Sequence, residues 1–157
     1  MKVVSDSGPL IHLSRISRIE ILKDFFNEIY IPSSVYHELT LTEEVLPGCI
    51  EIETFQWIKK KEIHDITAKA LLMEYLDEGE SEAILLAKEL DADLLLIDDL
   101  AGRRTAITQN ISVMGTLGIL DRAYEEGKVN DLKEVIDELR DKGFWMDEDL
   151  YKMLVKD

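Results

Sequence analysis

Cysteine is almost missing from this chain. Cys49 stands alone among 157 residues, so no internal disulfide can form and a reducing, cytoplasmic setting is expected. Histidine is nearly as scarce. His12, His37 and His64 have no metal-ligand spacing with one another or with Cys49, which argues against a zinc site. No apolar stretch reaches the length of a membrane span, and no charged-then-apolar leader opens the chain, because Asp6 interrupts it. Repeats, low-complexity tracts and linkers are also missing. Basic residues are few: 18 Lys and Arg face 33 Asp and Glu, a net charge of −15. A phosphate backbone rewards positive charge, so a polyanionic partner would have to be drawn by a local basic patch and by bound cations. What remains is a 46% hydrophobic chain, long enough to bury one full core.

The stretch MKVVSDSGPLI organises the rest. Val3 and Val4 predict a short buried strand that stops at Asp6, and Ser7-Gly8-Pro9 turns the backbone into a helix near Leu10. Leu94 to Ile97 repeats the plan, an apolar run ending in Asp98-Asp99. Runs apolar at every position are what parallel strands buried on both faces look like. Between them, Glu28 to Ile31 predicts a strand closed by Pro32, with a helix from Pro32-Ser33 that carries Val35, Glu38 and Leu39. Pro47-Gly48 marks a turn in an ambiguous stretch, 42–56. Trp57 to Ile63 predicts an edge strand blunted by Lys59, Lys60 and Lys61. A helix over Thr67 to Leu76 is broken by Asp77-Glu78-Gly79, and another runs from Glu80 to Leu90. A helix over Gly102 to Gln109, a strand over Ile111 to Met114, and helices over 116–126, 132–142 and 147–155 complete the chain. Strands alternating with helices predict an α/β protein, a three-layer α/β/α sandwich around a mainly parallel sheet. We expect a single domain over 1–157, with 143–157 as a helical extension whose apolar stripe folds back on the core or borders a partner.

Four acids converge for a topological reason. Asp6 and Asp98 end two strands at the carboxyl edge, where ligands of open parallel sheets bind. Glu38 lies in the helix leaving that edge, and helical side chains lean back toward the helix start. Glu82 opens a helix that runs antiparallel to the strands and so begins at the same edge. Carboxylates forced together repel unless a cation joins them. Each also has a plainer role: Asp6 as a turn former, Glu38 as a solvated helix residue, Glu82 as a complement to the helix dipole, Asp99 as the N-cap of the next helix. Arg103 and Arg104 either contact phosphate or pair with the acids. Thr116, in a GTLG stretch too short for a phosphate loop, is expected to cap a helix. His37, beside Glu38, need not face the site, since adjacent helix residues point about 100° apart.

The order and spacing of VVSDSGPLI, YIPSSVYHEL, GESEAILLAKEL, LLLIDDLAGRRTA and VMGTLGIL resemble the PIN-domain family, and within it the VapC toxins of prokaryotic toxin–antitoxin pairs. The resemblance implies a PIN-like fold and a ribonuclease. Asp6, Glu38, Glu82 and Asp98 would be its catalytic acids. Asp6, Glu82 and Asp98 would hold Mg²⁺ or Mn²⁺, with Glu38 and Asp99 supporting that ion or a second one. Ser7 matches a supporting Ser or Thr beside the first Asp. Where the family often has Thr two positions before the fourth acid, this chain has Leu96. The resemblance further implies an RNA substrate bound with help from Arg103 and Arg104, a cognate antitoxin and a homodimer. Two rivals stand beside it. One is a PIN-like binding module without turnover. The other is a receiver-like signalling domain, which would need an acidic pair after its first strand, where Asp6 stands alone.

Overall fold

The computed structural model of the chain describes residues 1–40 and 49–156, with side chains from residue 52 onward in the second span. The Pro47–Gly48 turn expected from the sequence lies outside them. Element order follows the predicted alternation. β1 (Val3–Ser5) leads into α1 (Ser7–Arg15), α2 (Glu20–Phe26), β2 (Ile29–Pro32), α3 (Ser33–Thr40), α4 (Cys49–Thr54) and β3 (Ile58–Lys61). Then come α5 (Ile66–Leu72), α6 (Glu78–Glu89), β4 (Leu94–Leu96), α7 (Leu100–Thr108), β5 (Val113–Met114), α8 (Thr116–Glu125), α9 (Leu132–Asp141) and α10 (Glu148–Val155).

Every strand pair is parallel, in the order β3-β2-β1-β4-β5. Alternate residues of the central strands feed opposite cores, as the two-residue period of a strand requires. Val3, Leu94 and Leu96 join Leu10, Leu13, Leu22, Ile119, Ile136 and their neighbours on one face. Val4, Leu95 and Ile97 join Ile84, Leu86 and Ala106 on the other. A sheet covered on both faces is the three-layer α/β/α sandwich, and it explains why these runs are apolar throughout. β3 lies at the edge, so its lysines blunt an open strand as expected. The strand order also rules out the receiver-like alternative, whose sheet runs 2-1-3-4-5.

One boundary departs from expectation in a way that matters. Asp77-Glu78-Gly79 does not break the chain ahead of a helix at Glu80. Asp77 is the N-cap of α6, and its side chain accepts from the Glu80 amide at 2.7 Å while Glu80 Oε1 accepts from the Asp77 amide at 3.1 Å. This reciprocal capping box draws Glu78 and Gly79 into the first turn. Glu82 therefore sits one turn inside the helix instead of opening it. At the other end of the chain, Phe144, Leu150, Tyr151, Leu154 and Val155 pack against the main core and Met146 is buried, while Trp145 stays 82% exposed.

Candidate metal centre at the carboxyl edge of the sheet

The chain leaves β1 toward β2 and β3 on one side and places β4 and β5 on the other, so the strand order reverses between β1 and β4. Open parallel sheets bind ligands at this crevice. Ser5 is in register with Leu96, and the Asp6 amide donates to the Leu96 carbonyl at 2.8 Å. Asp6 and Asp98 thus leave adjacent strands within a residue or two of each other, at the same end.

Asp6 is 7% exposed. Burial pushes its carboxyl up to about 7; the Ser7 backbone amide pulls the other way, and the charges of Asp77, Glu38 and Asp98 push it further up. Among the described residues no Lys, Arg or His forms an ion pair with it. Asp6 is thus a buried acid that feels the charge of three others without an ion-pair partner among the described residues, an arrangement that a bound cation would relieve.

Asp98 is held from the opposite side of the crevice. Its Oδ1 accepts from the Thr116 amide and its Oδ2 from the Thr116 hydroxyl, each at 2.7 Å. Thr116 is wholly buried at the first position of α8. Thr116 was expected to cap that helix; instead Asp98 does so from the end of the neighbouring strand β4, and Thr116 supplies it with a hydroxyl. Leu96 is fully buried in the core, so the threonine often found there in the resembling family has no polar role to play here. Gly115 is needed for the approach, because a Cβ there would lie 2.8 Å from Asp98 Oδ1 and 2.7 Å from Arg103 Nη1.

The remaining acids divide. Glu38 is exposed on α3, and its charge reaches Asp6. Asp77, taken from sequence only as a helix breaker, acts on Asp6 more than either Glu38 or Asp98 does. The first turn of α6 passes beside Asp6 at Gly79. Glu82 is buried, yet both its oxygens are engaged elsewhere. Oε1 accepts from the Ser34 amide at 3.1 Å, and Oε2 lies 2.6 Å from Lys69 Nζ. Burial pushes the Glu82 carboxyl up, but Lys69 and Ser34 outweigh it and hold the carboxyl below its ordinary value.

Asp99 caps α7, accepting from the Gly102 amide at 2.9 Å. Its other neighbour is Glu80, whose Oε2 has no donor facing it. The two carboxyls bond only when they share a proton: burial and Asp99 push Glu80 up to about 8, and Glu80 in turn holds Asp99 low. Ser7 opens α1 and acts on Asp6 through its amide. Arg103 is half-buried and Arg104 exposed, and among the described residues neither forms an ion pair. His37 is exposed. His12, which carried no signal in the sequence, meets the Phe144 ring edge-on at 4.8 Å. Burial holds it below its usual value, while Asp98 pulls it up.

The donors available are hard oxygens, suited to Mg²⁺ or Mn²⁺. Among the described residues, however, no three His, Cys, Asp or Glu side chains stand together ready to hold an ion. Asp6 and Asp98 would supply only part of a shell. The acid that would extend it, Glu82, is tied to Lys69.

An all-parallel α/β/α sandwich with Asp6 and Asp98 at its switch point is the frame on which open α/β sheets bind their ligands. The sequence narrows this further: the chain belongs to the PIN-domain family, whose model, described as "DUF3368: PIN domain", matches residues 2–157. PIN domains are in general metal-dependent nucleases. Among solved structures, the fold is similar to a PilT N-terminus domain protein, SSO1118, from the hyperthermophilic archaeon Sulfolobus solfataricus P2. The TM-score is 0.55 at 16% identity, with 94% of this chain and 98% of that chain covered. No curated protein matches the sequence. Among the described residues, no helix is long and apolar enough to cross a membrane.

Proposed function

We propose that this protein is a divalent-metal-dependent ribonuclease that hydrolyses RNA phosphodiester bonds. The observation that carries the reading is Asp6, a buried carboxyl pushed up to about 7, acted on by the charges of three other acids and without an ion-pair partner among the described residues. Asp6 and Asp98 would hold the ion, Glu82 would join them once freed from Lys69, and Glu38 and Asp77 would face it from the rim. A bound Mg²⁺ or Mn²⁺ supplies an ionised water and neutralises charge developing on the phosphate. The protein's own residues do the rest. Thr116 fixes the Asp98 carboxylate through two hydrogen bonds, so that ligand is oriented before anything binds. Arg103, whose Nη1 lies near Gly115 as Asp98 Oδ1 does, would meet a phosphate oxygen, with Arg104 next in sequence.

RNA must be drawn to a protein of net charge −15, and among the described cations without an acidic partner Arg103, Arg104 and the β3 lysines are the ones proposed to draw it. Lys60 lies over the Tyr36 ring at 4.8 Å and Lys61 over Tyr30 at 5.5 Å, and among the described residues neither has an acidic partner. The finer reading is a VapC-like toxin of a toxin–antitoxin pair, with a protein partner and a homodimer. Its support is the resemblance of the motifs together with apolar side chains left exposed, Leu71, Tyr75 and Trp145 among them. The test is labelled RNA incubated with purified protein in Mn²⁺ and in EDTA. Cleavage only with metal, leaving 5′-phosphate ends, is expected. RNA bound but left intact under both conditions would make the chain a binding module.

A further inference from the structure

Glu82 poses a question that the fold alone does not answer. It is buried on α6 at the catalytic edge, yet it faces Lys69 instead of the other acids. Lys69 Nζ lies 2.6 Å from Glu82 Oε2 and 2.8 Å from Glu78 Oε2, with the lysine side chain 22% exposed and that of Glu82 only 8%. We infer that Lys69 is a built-in counter-cation that stands at Glu82 in place of the divalent ion and must leave before that ion is fully ligated. The inference rests on the metal-centre reading above and deepens it.

Three observations carry the inference. First, Glu82 already has a positive partner: Oε2 is paired with Lys69 Nζ at 2.6 Å while Oε1 accepts from the Ser34 amide. Second, a buried carboxylate needs a positive partner, and an ammonium and a divalent ion cannot share the same oxygen without strong repulsion. One displaces the other. Third, the element that carries Lys69 is anchored to permit the exchange. No residue of α5 is buried, and Ile66 and Leu71 are 75% and 62% exposed. Its start is pinned, because the Glu89 carboxylate accepts from the His64 and Asp65 amides and Asp65 caps the helix. Beyond that point, Lys69 makes the only side-chain polar link from α5 to the rest of the protein among the described residues. Release of Lys69 from Glu82 leaves it Glu78 as a partner and loosens an exposed helix that Leu72 still ties to the core. The exchange accounts for a site with the right acids but an unfinished shell.

The experiment uses the full chain and Mn²⁺ as the probe, with binding read by calorimetry and backbone opening by hydrogen exchange. Lys69→Met should bind Mn²⁺ roughly tenfold or more tightly than the parent, because a charge-assisted bond no longer competes. Lys69→Arg, which keeps the cation, should bind nearer to the parent. In the parent, Mn²⁺ should speed amide exchange in residues 66–72 even as it protects the first turn of α6. Equal or weaker Mn²⁺ affinity in Lys69→Met, or greater protection of α5 on metal addition, would overturn the inference. The exchange measurement on the parent stands even if Lys69→Met does not fold. Failure of the underlying reading looks different: Mn²⁺ would bind neither form, or would bind Asp98→Asn as well as the parent.

Discussion

Asp6→Asn tests the electrostatics on which the site is built. In the folded chain the Asp6 carboxyl titrates at about 7 instead of 3.8. A carboxyl raised on folding keeps its proton in the native state after the unfolded chain has lost it. Its contribution to stability is therefore present in full below about pH 4 and lost as pH rises through about 7. A shift of about three units corresponds to ~4 kcal/mol as an upper limit, and relaxation around the ionised group brings the expected loss to roughly 1.5–3 kcal/mol. Asparagine has nearly the same shape and does not ionise. In EDTA, urea denaturation of the parent should show falling stability from pH 5 to pH 8, while Asp6→Asn falls less steeply and exceeds the parent at pH 8. Glu80, pushed up to about 8, loses stability in the same direction, and His12, held low, works in the opposite one. Both are common to the two proteins, so the difference between the two pH curves isolates Asp6. Saturating Mn²⁺ should reverse the order at pH 8 by stabilising the parent alone. Parallel pH curves, or a variant less stable than the parent at pH 8 without metal, would refute the reasoning.

Other outcomes follow from the same geometry. Thr116→Val keeps the amide bond to Asp98 but removes the hydroxyl, and should weaken Mn²⁺ binding by roughly tenfold, with Thr116→Ser restoring it, as read by metal titration. Replacing Arg103 and Arg104 together with alanine should weaken RNA binding and lower its log–log salt slope by up to about two, measured by fluorescence anisotropy across a salt series. Deleting residues 143–157 strips Phe144, Met146 and the α10 stripe from the core and should cost ~3–6 kcal/mol, seen as a sharply lower melting temperature and new dye binding. A truncated chain that melts like the parent and differs only in association would make the tail an interface instead.

Much of the fold was legible because the physics acting on it is local. The Val3–Val4 and Leu94–Ile97 runs are apolar at every position, and only a strand covered on both faces demands that. From two such strands the placement of Asp6 and Asp98 at one edge follows directly, and the strand order bears it out. What the sequence hid was side-chain choice among competing partners. Asp77 reads equally well as a breaker and as a cap; its second effect, a charge acting on Asp6, depends on where α6 begins. Thr116 reads as a helix cap from sequence, and only the sheet shows that the carboxylate it serves lies 18 residues away. Glu82 lies on the expected helix, one turn further in than the sequence suggests, and no periodicity in 66–72 announces that Lys69 would reach it.

The most direct test of the central claim is a side-by-side cleavage assay of the parent and Asp98→Asn on one labelled RNA at saturating Mn²⁺, both purified identically. Asp98→Asn keeps the side-chain shape, and with it at least one of the two Thr116 contacts, but removes a ligand charge at the switch point. The account predicts metal-dependent cleavage by the parent and a loss of at least about a hundredfold in the folded variant. Cleavage at the parent rate by Asp98→Asn would place the chemistry elsewhere and contradict the account.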